Sequence, residues 1–239
     1  MIKYFNTNYW IRRILVNTFV SKLFSEKMLS KIIFSSIYKS NHWNKGRVLD
    51  PKLNSFSGPG SIPDSNQTNH LILELNTFFQ NNKIKSFIDA PCGDCAWVSK
   101  LFSTKIHYIG IDIVEVLIEK NRKKYSKYKN VKFYNKDIIN FDGFGSYDFV
   151  LLRDFFIHLP LDSINKILNN LKKSKCKYFA FNSYEDITKN KDITLGKHRK
   201  INLRKEPFNL DEPYFKIREI NNDSKSKILD NFIYIYKNY

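Results

Sequence analysis

The stretch Ser86-Phe87-Ile88-Asp89-Ala90-Pro91-Cys92-Gly93-Asp94-Cys95-Ala96-Trp97 constrains the fold more than any other part of this 239-residue chain. An apolar strand over Phe87 to Ala90 runs into a tight turn at Pro91 to Asp94 and then into a helical segment, the order that opens a nucleotide-binding βαβ unit. Strand carbonyl ends and helix N-terminal amides meet at such a turn, and a residue without a β-carbon lets a ligand approach the backbone. Gly93 is that residue, so a ligand is expected at the turn.

Two further acids fit the same pattern. Tyr108-Ile109-Gly110-Ile111-Asp112 reads as a second strand ending in a carboxylate, 23 residues after Asp89. That is the position from which such folds bind ribose hydroxyls, and an ionised Asp112 can accept from both. Asp137 comes directly after the next strand, 131–136. Core packing alone does not explain three successive strands that each end in an acid.

These residues resemble the class I S-adenosylmethionine-dependent methyltransferases. Within them they resemble a bacterial group associated with surface-polysaccharide synthesis, whose first motif reads D-x-P-C-G-D-x-x-W, here Asp89 to Trp97. The resemblance runs from about Trp43 to about Pro213, through Ser57-Gly58-Pro59-Gly60-Ser61, Arg153-Asp154 and His158. It departs at Pro91 and Cys95, where the general family has glycines. The resemblance implies S-adenosylmethionine as cofactor, held by Asp89, Pro91, Cys92, Gly93, Asp94, Trp97, Asp112, Ile113, Asp137 and Ile138. Asp137 would meet the adenine amino group while Ile138 offers a backbone amide. It also implies a flap or substrate contact at Ser57, Gly58, Gly60 and Ser61, with Arg199 on the acceptor side.

The rest of the chain alternates as a parallel sheet requires. Strands are expected at 84–90, 106–112, 131–136, 147–152 and 177–182, and helices at 95–103 and 114–127 and after Pro160. The helix after Pro160 carries Ile164, Ile167, Leu168 and Leu171 at i, i+3, i+4, i+7. Periodicity is lost over 183–213, a length that marks a functional or mobile loop. Strands near 214–220 and 230–236 then form a terminal hairpin. The expected fold is α/β and Rossmann-like: a mostly parallel seven-stranded sheet with helices on both faces and a C-terminal antiparallel hairpin. It occupies residues 41–239, behind a basic helical extension over 1–40 with Ile11, Leu15, Phe19 and Leu23 on one face.

Arg153, Asp154 and His158 come after the fourth strand, at the sheet edge where open α/β folds bind ligands. Methyl transfer from a sulfonium is an in-line displacement in which the protein mainly aligns the reactants, and a hydroxyl acceptor also gains from a base. His158 and Asp154 are the candidates for that base, and Arg153 is suited to a substrate phosphate or carboxylate. The expected reaction is O-methylation of a sugar, a sugar phosphate or a capsule or lipopolysaccharide glycan. The signature of base-modifying amino-methyltransferases is absent, which lowers the alternative of an RNA methyltransferase.

Lys and Arg number 40 against 23 Asp and Glu, a formal charge of +17, which favours acidic small molecules or glycans, nucleic acid or an anionic membrane as partners. The N-terminal helix has two open readings, packing on the domain or on a second subunit, or lying on the inner membrane surface. Three cysteines make no disulfide framework and fit a reducing cytoplasm. Cys92 and Cys95 form a C-x-x-C whose rival reading is a thiol redox site, although that leaves Asp112 and Asp137 unexplained. No second Cys or His pair stands at zinc-ligand spacing, so no metal is expected.

Overall fold

Neighbouring residues of each central strand belong to opposite faces of one sheet, as the two-residue period of a strand requires. Phe87, Phe149, Leu151 and Ala180 pack on one side, with Leu71, Leu75, Phe78 and Phe79. Ile88, Val150, Leu152, Phe179 and Phe181 pack on the other, with Ile33, Ile37, Ile164, Ile167, Leu168 and Leu171. Each fully buried Val, Leu, Ile or Phe among them contributes about 1.5–3 kcal/mol relative to exposure. The sheet is therefore covered on both faces.

This computed structural model describes residues 24–44, 55–103, 105–220 and 231–238. The stripe Ile11, Leu15, Phe19 and Leu23 lies outside the described residues. The helices are α1 (Glu26–Lys39), α2 (Asn66–Asn81), α3 (Glu115–Lys124) and α4 (Leu161–Lys173). The strands are β1 (Ser86–Asp89), β2 (His107–Asp112), β3 (Val131–Asn135), β4 (Phe149–Leu152), β5 (Tyr178–Tyr184), β6 (Phe215–Arg218) and β7 (Asn231–Lys237). Their order across the sheet is β3-β2-β1-β4-β5-β7-β6. The first five are parallel, and β7 runs antiparallel between β5 and β6. This is the expected Rossmann-like sheet, with its antiparallel pair at the C-terminal edge.

Helix starts are set by their caps. Ser25 accepts from the Met28 amide at the head of α1, and Ser65 accepts from the Thr68 amide at the head of α2. Helix α1 lays Ile33 and Ile37 into the core. Among the described residues no helix is long and apolar enough to cross a membrane.

One expected helix is missing. Residues 95–103 hold only a single 3-10 turn, Val98–Leu101. Cys95 takes the left-handed conformation at φ 53°, and the Ser99 hydroxyl donates to the Ala96 carbonyl, a local bond that competes with helix formation. The aperiodic stretch after β5 is anchored rather than loose. Asn190 donates to the Asn202 and Glu206 carbonyls and accepts from the Asn202 amide, while Ile201 and Leu203 are fully buried.

Candidate functional site

Strand order reverses between β1 and β4, and beyond the C-terminal ends of these strands lies a cavity of about 770 Å3. Open α/β sheets bind ligands at this switch point, and the volume falls within the roughly 300–1,000 Å3 of small-molecule sites. Asp89, Asp112 and Asp137, at or just past the tips of β1, β2 and β3, are all buried and all line this one cavity. Pro91, Cys92, Gly93, Asp94, Trp97, Ile113 and Ile138 line it with them.

Each acid is held by the chain and keeps accepting capacity, since an ionised carboxylate has about four lone-pair sites. Asp89 accepts from the Tyr108 hydroxyl at 2.8 Å, and burial pushes its carboxyl up to about 7. Asp112 accepts from the Gly93 amide at 3.0 Å through one oxygen and from the Val114 amide at 2.8 Å through the other. Burial outweighs these bonds and lifts it to about 6. Asp137 accepts from the Ile139 amide at 3.2 Å and the Asn140 side chain at 2.7 Å.

The turn itself differs from expectation in two ways. The space left by the missing β-carbon of Gly93 is taken by Ser57 Oγ and Tyr38 Oη rather than left to a ligand. Asp94 turns its carboxylate to the chain, accepting from the Ser55 hydroxyl, the Phe56 amide at 2.6 Å, the Ser57 hydroxyl at 3.2 Å and the Ala96 amide at 3.2 Å. Asp94 and Ser57 therefore staple the 55–61 loop to the turn. Gly58, Gly60 and Ser61 line the cavity further along, and a β-carbon on Gly60 would lie 3.3 Å from both Arg153 Nη2 and Asp154 Oδ2.

The far end of the cavity is an ion-pair network. Arg153 Nε donates to Glu219 at 2.6 Å, Nη1 faces Asp154 at 3.2 Å, and the guanidinium stands 5.2 Å from the Trp97 ring centroid. Glu219 also accepts from Gln67 at 3.1 Å and Asn231 at 2.7 Å. Asp154 takes φ 53°, uncommon for a residue with a β-carbon, and its amide donates to Asn182 at 2.6 Å.

His158 Nδ1 lies 2.9 Å from the Lys197 carbonyl. A carbonyl only accepts, so Nδ1 carries the hydrogen and Nε2 keeps its lone pair. The ring packs 4.3 Å from Trp43 and 5.6 Å from His198, and burial pushes its pKa down to about 4.

Arg199 is a correction. Its guanidinium donates to the carbonyls of Lys191, Phe156 and Leu159, so it clasps the loop to the segment around His158 and does not line the cavity. Its neighbour His198 lines it instead. Glu219, Tyr38, Tyr184 and Asn231 are also lining residues that sequence reasoning missed. A lone acid in the last strand pair was the single available signal for Glu219.

The thiol reading is corrected too. Cys92 and Cys95 are buried, and burial raises both thiols rather than activating them. The Tyr108 hydroxyl hydrogen goes to Asp89, so the Cys95 thiol is the donor in its 3.1 Å contact with Tyr108. Asn121 holds the turn from below, donating to the Gly93 carbonyl at 2.8 Å.

A protein-family model described as a methyltransferase domain matches residues 81–207. Solved structures share the fold. The 1,6-didemethyltoxoflavin-N1-methyltransferase of Burkholderia thailandensis, with bound 1,6-didemethyltoxoflavin and S-adenosylhomocysteine, aligns at a TM-score of 0.61 and 14% identity over 90% of this chain and 91% of its own. Magnesium protoporphyrin IX methyltransferase from Synechocystis PCC 6803 with bound SAM aligns at 0.55 and 14% identity, covering 100% of both chains. The N-methyltransferase NodS of Bradyrhizobium japonicum WM9 with S-adenosyl-L-homocysteine aligns at 0.55 and 13% identity, over 84% of this chain and 98% of its own. Among curated proteins none matches the sequence.

Proposed function

The chain belongs to the methyltransferase domain family, and from that premise we propose that it methylates a hydroxyl of a sugar or glycan, with S-adenosylmethionine as methyl donor. The observation that carries this reading is the convergence of Asp89, Asp112 and Asp137 on one cavity that also holds His158.

The residues present fit the cofactor. Its ammonium, ribose diol and adenine amino group are all donors, and the three acids that line the cavity beside β1, β2 and β3 are acceptors with lone pairs to spare. Asp89 would take the ammonium, which supplies the positive charge its burial calls for. Asp112 would take the ribose hydroxyls and Asp137 the adenine amino group. When bound, the cofactor supplies an electrophilic methyl group.

The chain's own part is alignment and proton removal. Lys197 fixes the His158 tautomer, Trp43 limits the ring's rotation, and Nε2 accepts the acceptor's hydroxyl proton. Asp154 favours the imidazolium that results.

Charge supports an uncharged acceptor within the class expected from the sequence. Among the described lining residues are six carboxylates (Asp89, Asp94, Asp112, Asp137, Asp154 and Glu219), one guanidinium and no lysine. A phosphate inside this cavity would meet repulsion, so a phosphorylated sugar would keep that group outside. The reading also keeps the protein cytoplasmic.

Calorimetry with S-adenosylhomocysteine tests the first half: the wild type binds and Asp112→Ala does not. Incubation of surface glycan with methyl-labelled cofactor tests the second, the expected product being an alkali-stable methyl ether. Label found instead in RNA, or an absence of S-adenosylhomocysteine binding, sinks the reading.

A further inference from the structure

Arg153 has one donor to spare. Its side chain is 4% exposed, Nε and Nη1 are engaged by Glu219 and Asp154, and Nη2 has no hydrogen-bond partner. Burying a donor with nothing to receive it is costly, and native structures rarely keep one unless a ligand or water completes it. Among the described residues lining the cavity, Arg153 is also the one side chain with a permanent positive charge.

Its position selects what completes it. The guanidinium stands over Trp97 of the cofactor turn, and its charge reaches Asp89, whose proton affinity it lowers. Gly60 leaves the approach to Nη2 open, because a β-carbon there would crowd it at 3.3 Å. In an α-amino acid the ammonium and the carboxylate hang from one carbon, so whatever receives the carboxylate must stand beside whatever receives the ammonium. Arg153 follows Leu151, the register partner of Asp89 on the neighbouring parallel strand, by two residues, so both stand at the same end of the sheet and line the same cavity.

Resting on the reading of this cavity as the cofactor site, we propose that Arg153 Nη2 donates to the α-carboxylate of the cofactor's methionine end while Asp89 takes the ammonium. Arg153 is then a cofactor-binding residue rather than a catalytic one. The two acids already beside it do not forbid this. The cofactor's carboxylate arrives with an ammonium and a sulfonium on the same molecule, whereas an acceptor's phosphate would bring uncompensated negative charge to Asp154 and Glu219.

The test compares two ligands by calorimetry: S-adenosylhomocysteine, and the analogue in which an aminopropyl thioether replaces the homocysteine part and so lacks only the carboxylate. Arg153→Gln alone would leave Glu219 buried without its cation, so the variant carries Arg153→Gln together with Glu219→Gln. A charge-assisted bond predicts that the wild type binds S-adenosylhomocysteine about 30-fold more tightly than the analogue. In the double variant the two affinities should come within about 3-fold of each other, with the analogue's own affinity retained. Equal affinities in the wild type overturn the proposal without any variant. A preference that survives in the double variant overturns it as well, and returns Arg153 to the acceptor. A wild type that binds neither ligand overturns the parent reading instead.

Discussion

The Ser57 hydroxyl sits where a side chain on Gly93 would go: a β-carbon built there would overlap Ser57 Oγ and approach Tyr38 Oη to 3.0 Å. The turn glycine therefore admits the 55–61 loop and α1 to the cofactor turn, and joins parts of the chain that would otherwise pack independently.

Gly93→Ala should destabilise the protein by about 1–3 kcal/mol, from this overlap and from a left-handed φ of 53° that suits glycine. It should also weaken S-adenosylhomocysteine binding at least about tenfold, because the Gly93 amide holds Asp112. Calorimetric unfolding checks the first effect, and adding Ser57→Gly should restore part of the loss. An unchanged melting temperature would refute the overlap.

Cofactor affinity should rise with pH between about 5.5 and 7.5. In the ligand-free protein Asp89 titrates at about 7 and Asp112 at about 6. Below those values each is protonated and must lose its proton to accept from an ammonium or a ribose hydroxyl. Binding therefore releases protons at pH 6 and almost none at pH 8.5, and affinity falls by about tenfold per unit between pH 7 and 6 and by up to about a hundredfold per unit once both acids are protonated. Titration calorimetry at pH 6 in buffers of different ionisation enthalpy reads the released protons directly. Proton uptake there would carry the wrong sign.

His158→Gln should leave S-adenosylhomocysteine affinity within about 3-fold of wild type and lower methyl transfer by roughly 10²–10⁴-fold. Because burial holds His158 at about 4, the wild-type rate should not fall between pH 8 and pH 5.5 through protonation of this ring. A steep loss of maximal rate centred near 6.5, moved by the substitution, would contradict the buried neutral imidazole.

Iodoacetamide at pH 8 should leave the native protein unlabelled over minutes and label three thiols after denaturation. Cys92, Cys95 and Cys176 are all buried with raised pKa values. Mass spectrometry counts the adducts, and rapid native labelling of Cys92 or Cys95 would revive the redox reading.

Much of the fold can be read in short windows. The apolar spacing of α4 matches the apolar part of its buried face, Ile164, Ile167, Leu168 and Leu171; Asp89 and Asp112 are visible because each closes an apolar run, and Asp137 because it follows the next strand-length segment. The absent helix after the turn was not legible, since Ala96 to Phe102 carries no breaker and the competing bond comes from Ser99. Ser57 reads as a flap residue, yet its place against Gly93 depends on where α1 and the loop pack. Arg199 and His198 are adjacent and both cationic in type, and nothing local distinguishes the one that clasps carbonyls from the one that faces the cavity.

By itself the sequence determined the alternation of elements, the strand-end carboxylates and the tight turn at the end of β1, because periodicity and turn chemistry act over a few residues. Only the tertiary structure decided that Arg153 pairs with Glu219, 66 positions away, and that Asp94 accepts from the 55–61 loop. Those partners meet because β7 inserts antiparallel beside β5 and brings β6 with it, and because α1 closes over the turn. Contacts of that range depend on strand order and packing, which no local window of the chain contains.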